Sequence, residues 1–190
     1  MKLKDRVAII TGGARGIGKA IGSAFVREGA KVCLVDVDKG ILETAKNEIQ
    51  KSREEIIAFA CDITKSAEVK AAVNQVQKAF GRIDILVNNA GIIRRGSIET
   101  VTEEDWDRVI EVNLKGTFNC CKAVLEIMKN QNYGKIVNVS SIAGKLGDIT
   151  SAPGYGPSKA GVDALTKTLA RQLAPYGINV NAVSPHAIET

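Results

Sequence analysis

Aromatic side chains are scarce in this chain: one tryptophan, three tyrosines and four phenylalanines, 4% of 190 residues. A core cannot be built on aromatic pairs here, so Val, Ile, Leu and Ala must fill it. That favours buried parallel strands under helices over an aromatic-rich β-sandwich. The one histidine, His186, has no acid or cysteine cluster near it, which argues against zinc, and no metal is expected. The four cysteines, Cys33, Cys61, Cys120 and Cys121, form no CxxC pair and sit in apolar segments. They read as buried free thiols in a reducing compartment. No apolar run approaches the length that spans a bilayer, and Thr11-Gly12-Gly13 cuts the N-terminal run too short for a secretory signal. A cytoplasmic location with no membrane partner is expected. No run of like charge, aromatic interleaving or zinc spacing supports nucleic-acid binding, although the net charge is +5. The absence of GxSxG removes the serine-hydrolase reading.

Hydrophobic residues make up 45% and charged residues 25%, the balance of a globular domain, and the length suits one domain spanning residues 1–190. Short apolar runs alternate with stretches of helical period. Val7–Thr11, Lys31–Asp36, Ile56–Cys61, Ile83–Asn88, Lys135–Ser140 and Ile178–Ser184 read as six buried strands. The intervening segments are long enough for right-handed βαβ crossovers. Ser66–Phe80 carries a helical stripe with Ser66 as its expected N-cap. Thr102 and the three acids after it open another helix, whose stripe runs through Trp106, Val109, Ile110, Leu114, Phe118, Cys121, Leu125 and Met128. The fold class is α/β, a Rossmann-type doubly wound parallel sheet in a single domain.

The first strand runs into Gly12-Gly13-Ala14-Arg15-Gly16-Ile17-Gly18 and then a helix, the context a dinucleotide loop requires. Gly12 permits a tight turn, Gly16 lets backbone approach a pyrophosphate, and Gly18 allows close helix–strand packing. The helix N-terminus offers free N–H groups and a positive dipole to the phosphates. Asp36 ends the second strand, where a carboxylate can accept from the ribose hydroxyls and repel a 2′-phosphate. Asp38 fits the cap of the following helix better. Arg15 beside the loop could pair with a 2′-phosphate, so NAD is the expected cofactor and NADP stays open.

The spacing GxxxGxG, with Asn88-Asn89-Ala90-Gly91 and Tyr155-Gly156-Pro157-Ser158-Lys159, resembles the short-chain dehydrogenase/reductase family. The likeness runs from Val7 to Thr190 and looks closest to 3-oxoacyl-[acyl-carrier-protein] reductases and to sugar or alcohol dehydrogenases. It implies that Thr11, Gly12, Arg15, Gly16, Ile17 and Gly18 form the cofactor loop and that Asp36 meets the ribose. Asp62 and Ile63 would flank the adenine, and Asn89, Ala90 and Gly91 would lie along the cofactor. Asn113, Ser141, Tyr155 and Lys159 would be the catalytic tetrad, with Ile188 and Thr190 at the nicotinamide carboxamide. His186 stands where the family usually has glycine and reads as a cleft-lining residue. Family members continue through a substrate lid and a further strand, so both are expected to be absent from these 190 residues, leaving a gaping substrate side. A homotetramer or dimer is implied, with the helices around 102–130 and 153–176 packed across a two-fold axis.

The chemistry can also be argued from the groups. Tyr155 and Lys159 are four apart and share one helix face. A free phenol, with pKa near 10, is too weak an acid at neutral pH, and a nearby ammonium favours the phenolate. Lys159 can also hold a cofactor ribose hydroxyl. Ser141 can orient a substrate oxygen; Ser140 is its rival, and strand alternation lets only one of them face the cleft. Asn113, beside the apolar stripe of its helix, would either hydrogen-bond a neighbour or hold a water reaching Lys159. Pro157 should lie in the first turn of the Tyr155 helix, where its missing N–H costs nothing. The expected activity is interconversion of a carbonyl and a secondary alcohol on a small-molecule substrate. The alternative is a catalytically silent nucleotide-binding sensor or scaffold of the same fold.

Overall fold

The structure, a computed structural model, describes residues 1–50 and 56–186. Six strands form one parallel sheet: β1 (Val7–Thr11), β2 (Lys31–Asp36), β3 (Ile56–Ala60), β4 (Ile85–Asn88), β5 (Gly134–Val139) and β6 (Ile178–Val183). Their spatial order is β3-β2-β1-β4-β5-β6. The chain therefore winds outward in both directions from a crevice between β1 and β4, where open α/β sheets bind ligands. Every one of the six expected strands is present, with ends shifted by at most two residues.

Helices cover both faces because the strands are apolar on both. Ala8, Ile10, Val32 and Leu34 point into one layer and Ile9, Cys33, Val35 and Leu86 into the other. Helices α1 (Gly16–Arg27) and α2 (Lys39–Ile49) pack on the first layer, with Ile21, Phe25 and Leu42 in the contact. Helices α3 (Ser66–Phe80), α5 (Gly116–Gln131) and α7 (Tyr155–Leu173) contribute to the second. Asp38 caps α2, its side chain accepting from Ile41 N. Ser66 is the first helical residue of α3, not its cap; Lys65 holds the cap position and makes no side-chain bond there. Thr102 does cap α4 (Glu103–Ile110), accepting from the Asp105 N–H.

The largest departure from expectation lies in the next helix. Between α4 and α5 the chain takes a π-helical turn, Glu111–Lys115. A π turn inserts an extra residue, so the apolar stripe read at a uniform period slips around the axis. Phe118, expected inside, is 44% exposed, while Cys120, Cys121, Val124 and Met128 form the buried face. The short α6 (Ala143–Leu146) follows β5. All four cysteines are free and buried. Burial pushes the Cys33 and Cys121 thiols up to about 12 and Cys61 to about 11, so none is poised as a nucleophile. No helix among the described residues is long and apolar enough to cross a membrane.

Candidate functional site

The crevice is built first from backbone. Gly12 and Gly16 have φ of +64° and +52°, a region that side chains with a Cβ rarely enter. At Gly18 the constraint is space: a Cβ there would come within 2.0 Å of the Gly12 carbonyl oxygen. Helix α1 thus presses against the turn that precedes it, and its N-terminus, opened by exposed and extended Arg15, faces the crevice. Two side chains hold this loop. Asp36 accepts from Ala14 N at 3.1 Å and Val37 N at 2.8 Å. Asn89 donates through Nδ2 to the carbonyls of Thr11 and Gly12, both at 3.1 Å. Thr11 Oγ1 in turn accepts from the N–H groups of Asn89 and Ala90. The ends of β1, β2 and β4 are therefore tied around one glycine turn.

Asp62 and Ile63 lie just past β3, on the same rim. Burial raises the Asp62 carboxyl, but the Thr64 N–H and hydroxyl, with Arg108 and Lys65, outweigh it and hold it below the usual range. Ile63 is buried against Gly116, where a Cβ would meet it at 2.5 Å. Asn119 donates to the Ile63 carbonyl at 2.9 Å.

The other half of the crevice is a cleft of about 250 Å³ lined by Ile17, Asn89, Gly91, Ser140, Ser141, Tyr155, Lys159 and His186, among others. Tyr155 opens α7, and Pro157 sits in its first turn. The Lys159 Nζ lies 5.8 Å from the Tyr155 ring centroid and donates to the Val139 carbonyl at 2.8 Å. Lys159 is only 5% exposed. Burial drives its amine down to about 8, with Asp163 pulling weakly the other way. Ser140 is turned inward, its hydroxyl donating to the Lys159 carbonyl at 3.2 Å. Ser141 is half-buried; its hydroxyl oxygen accepts from Ala143 N at 3.2 Å and it lines the cleft.

Asn113 takes the plainer of its two expected roles, bonding its neighbours. It sits in the π turn, and its side chain is a clamp on the segment after β4. Oδ1 accepts from Ile92 N at 2.8 Å, while Nδ2 donates to the Ile92 carbonyl at 2.9 Å and to Ser158 Oγ at 3.0 Å. Both Nδ2 protons are thus committed, while Oδ1 keeps one lone pair. What it positions is Gly91, where a Cβ would come 3.3 Å from Asn113 Oδ1 and 3.4 Å from Lys159 Nζ. His186 is exposed on the cleft rim, whereas Ile188 and Thr190 lie outside the described residues.

Residues 6–190 match the family of short chain dehydrogenases. The chain belongs to that family. It is 44% identical to 3-oxoacyl-[acyl-carrier-protein] reductase FabG of Thermotoga maritima, with all of this chain and 77% of that protein covered. It is 43% identical to a (2S)-[(R)-hydroxy(phenyl)methyl]succinyl-CoA dehydrogenase subunit, BbsD, of Thauera aromatica, covering 100% and 76% respectively. Among solved structures it resembles NAD⁺-bound xylitol dehydrogenase, with a TM-score of 0.96 and 37% identity over 100% of this chain and 73% of that one. The resemblance read from the three motifs is thereby borne out. This short-chain dehydrogenase is an oxidoreductase, and NAD(P) dependence is typical of its family.

Two polar residues of the same region were not singled out from the sequence. Asn138, in the middle of apolar β5, is wholly buried and donates to Thr166 Oγ1 on α7 at 2.9 Å. A polar side chain inside a strand apolar on both faces was the signal.

Proposed function

We propose that this chain interconverts a ketone and a secondary alcohol using NAD, with Tyr155 as general acid–base. One observation carries the reading: Tyr155, Ser141 and Lys159 line the same cleft as Ile17, which belongs to the glycine turn, and Asn89, which is hydrogen-bonded to it. The turn fits a dinucleotide, because its positive-φ glycines expose N–H groups at a helix N-terminus and nothing bulkier than Gly18 could pack there. Gly12, Arg15, Gly16, Ile17 and Gly18 would hold the pyrophosphate side, with Asp36 on the ribose and Asp62 and Ile63 on the adenine. Asn89, Ala90, Gly91, Tyr155 and Lys159 would border the nicotinamide side, joined by Ile188 and Thr190. When bound, the nicotinamide supplies or accepts the hydride.

The chain's own groups do the rest. Tyr155 gives its hydroxyl proton to the substrate oxygen in reduction and takes it back in oxidation. Ser141 donates a hydrogen bond to the same oxygen and orients the carbonyl. Lys159, next to the Tyr155 ring, places an ammonium where negative charge develops and offers an N–H donor to the cofactor ribose. Asn113 keeps Gly91 close and the cleft wall fixed.

A substrate with an apolar arm, such as a 3-oxoacyl thioester, fits best. Adjoining Tyr155, a second hollow of about 440 Å³ is lined by Ile98, Ile149, Ala152, Pro153 and Pro157 together with the polar Ser97, Asp148 and Ser151. Ile98 and Ile149 stand almost fully exposed there. The reading includes a cytoplasmic homo-oligomer, dimer or tetramer. Steady-state assays with both reduced cofactors against 3-oxoacyl thioesters, and with the oxidised cofactors against polyols and simple alcohols, test it. Turnover of thioesters with NADH is expected. Nucleotide binding without turnover of any of these would instead favour the silent sensor or scaffold.

A further inference from the structure

A string of buried amides and hydroxyls crosses the sheet under the cleft. Asn88 Nδ2, at the end of β4, donates to Asn138 Oδ1 on β5 at 2.9 Å. Asn138 Nδ2 donates to Thr166 Oγ1 on α7 at 2.9 Å, and Thr166 donates to the Val162 carbonyl at 2.7 Å. All three side chains are at least nine-tenths buried, and every donor points the same way, so each bond polarises the next. The string has a cost: Asn88 Oδ1 is buried with no partner among the described residues. Apolar side chains could fill the same space without that cost, yet apolar packing alone would let a helix settle at several depths along a sheet.

The depth of α7 matters because of what lies two turns away. Thr166 is seven residues beyond Lys159, on nearly the same face of the helix. Three consecutive residues at the end of β5 and just past it grip that face: Asn138 holds Thr166, the Val139 carbonyl holds Lys159 Nζ, and Ser140 holds the Lys159 carbonyl. We infer that the Asn138–Thr166 bond, backed by Asn88, is a positioning device that sets the height of α7 on the sheet and so the placement of Lys159 and Tyr155 in the cleft. Neither Asn138 nor Thr166 lines the cleft, so they act only through the helix. The inference rests on the proposed roles of Tyr155 and Lys159.

The charged environment of Lys159 lets the effect be read directly. Among the described residues its titratable neighbours are Tyr155 and Asp163 on α7 and His186 across the cleft. β5 and the residue after it, the π turn and the segment after β4 present Val139, Ser140, Asn113 and Gly91, none of which titrates. The test is Thr166→Val, which removes the hydroxyl at constant shape, beside Thr166→Ser, which keeps it. Three readouts are needed: kcat and KM across pH, nucleotide affinity, and the titration midpoint of Lys159 Nζ by nitrogen-15 NMR. Thr166→Val should lower kcat about 10- to 100-fold, as a displacement of an ångström does, with nucleotide affinity nearly unchanged. Its Lys159 midpoint should move up toward the ordinary lysine value. Thr166→Ser should restore both kcat and midpoint. If Thr166→Val does not fold, Thr166→Ala removes the same hydroxyl without the added methyl. A hydroxyl-free variant that is merely less stable, with kcat and midpoint as in the parent, would overturn the inference. If the parent turns over no substrate, the proposed function fails, while the NMR midpoint still decides whether Thr166 positions Lys159.

Discussion

The two halves of the crevice are built on opposite economies of side chain. The half around residues 11–18 is shaped by what is missing: Gly12, Gly16 and Gly18 leave room and φ freedom that no other residue allows. The half around Tyr155 is shaped by what is buried: Asn113, Asn138, Lys159 and Thr166 are polar groups taken out of water and held by partners. The first can be disturbed by adding a methyl group, the second by removing one donor. Substitutions therefore separate binding from chemistry.

The largest expected effect falls on the chemical half. Tyr155→Phe removes only the proton-carrying hydroxyl, so turnover should fall about 10²- to 10⁴-fold. Nucleotide affinity, measured by fluorescence titration, should stay near the parent's. A Phe variant that kept more than a small fraction of the parent rate would remove Tyr155 from its role.

The mirror experiment is Gly18→Ala. Its Cβ would meet the Gly12 carbonyl at 2.0 Å and Asn89 Nδ2 at 2.6 Å, and backbone cannot swing aside as a flexible side chain does. Relief requires the turn and α1 to part, at about 1–3 kcal/mol of stability. Nucleotide affinity should drop with it, because the N–H groups that face the phosphates move. Thermal melts with and without NAD check both, and an unchanged ligand-induced shift in Tm would contradict the assignment of this turn.

The two halves also differ in how much of them can be read from sequence. The glycine turn and Asp36 are contiguous with strands of plain apolar pattern, so spacing alone located them. Alternation of strand faces leaves Ser140 and Ser141 as rivals, and the choice of Ser141 comes from its resemblance to the family's Ser-x-x-Gly. Both border the cleft, with the Ser140 hydroxyl bonded to the Lys159 carbonyl. Other features depend on partners distant in sequence. The π turn at Glu111–Lys115 has no signature in a uniform 3.6-residue period, and it exposes Phe118 while aiming Asn113 at Ile92. The Asn113–Ile92 clamp joins residues 21 apart, and the Asn138–Thr166 bond joins residues 28 apart. Only folding brings either pair together. Ser66 failed as a cap because a serine before an apolar stripe suits either the cap or the first helical position.

Lys159 offers a test of the burial argument that needs no substrate. Its folded value of about 8 lies below the ordinary 10.5, so the native state penalises the charged amine. Below pH 8 both native and unfolded chains carry the proton and the penalty is present in full. Between about 8 and 10.5 the unfolded chain binds more protons than the native one, so stability rises with pH. Lys159→Met should therefore stabilise the nucleotide-free protein at pH 7 by about 1–3 kcal/mol, even as it removes activity. The gain should shrink toward zero as pH approaches 10.5. Denaturant midpoints at pH 7 and pH 10 measure this, and a variant less stable than the parent at pH 7 would show that the amine is not held at a cost.

The smallest effect is expected at Asp36, in the half where charge does the least. Its carboxylate accepts three backbone N–H bonds, one from Ala14 in the turn through Oδ2 and two from Val37 and Asp38 through Oδ1. Asp36→Asn keeps one acceptor oxygen of the two and removes the negative charge. A carboxylate facing a 2′-phosphate at about 4 Å costs on the order of 1 kcal/mol in a water-like environment. Partial burial raises that figure, and exposed Arg15 offsets part of it. The parent should therefore bind NADH more tightly than NADPH, and Asp36→Asn should narrow the ratio about tenfold, chiefly by improving NADPH. The change should fade as salt is raised, because the screening length falls to roughly 3 Å at 1 M. Titrating both reduced cofactors into parent and variant at low and high salt separates the contributions. Tighter NADPH binding in the parent would mean that Arg15 outweighs Asp36, and a ratio unmoved by Asp36→Asn would leave this carboxylate only its part in shaping the turn.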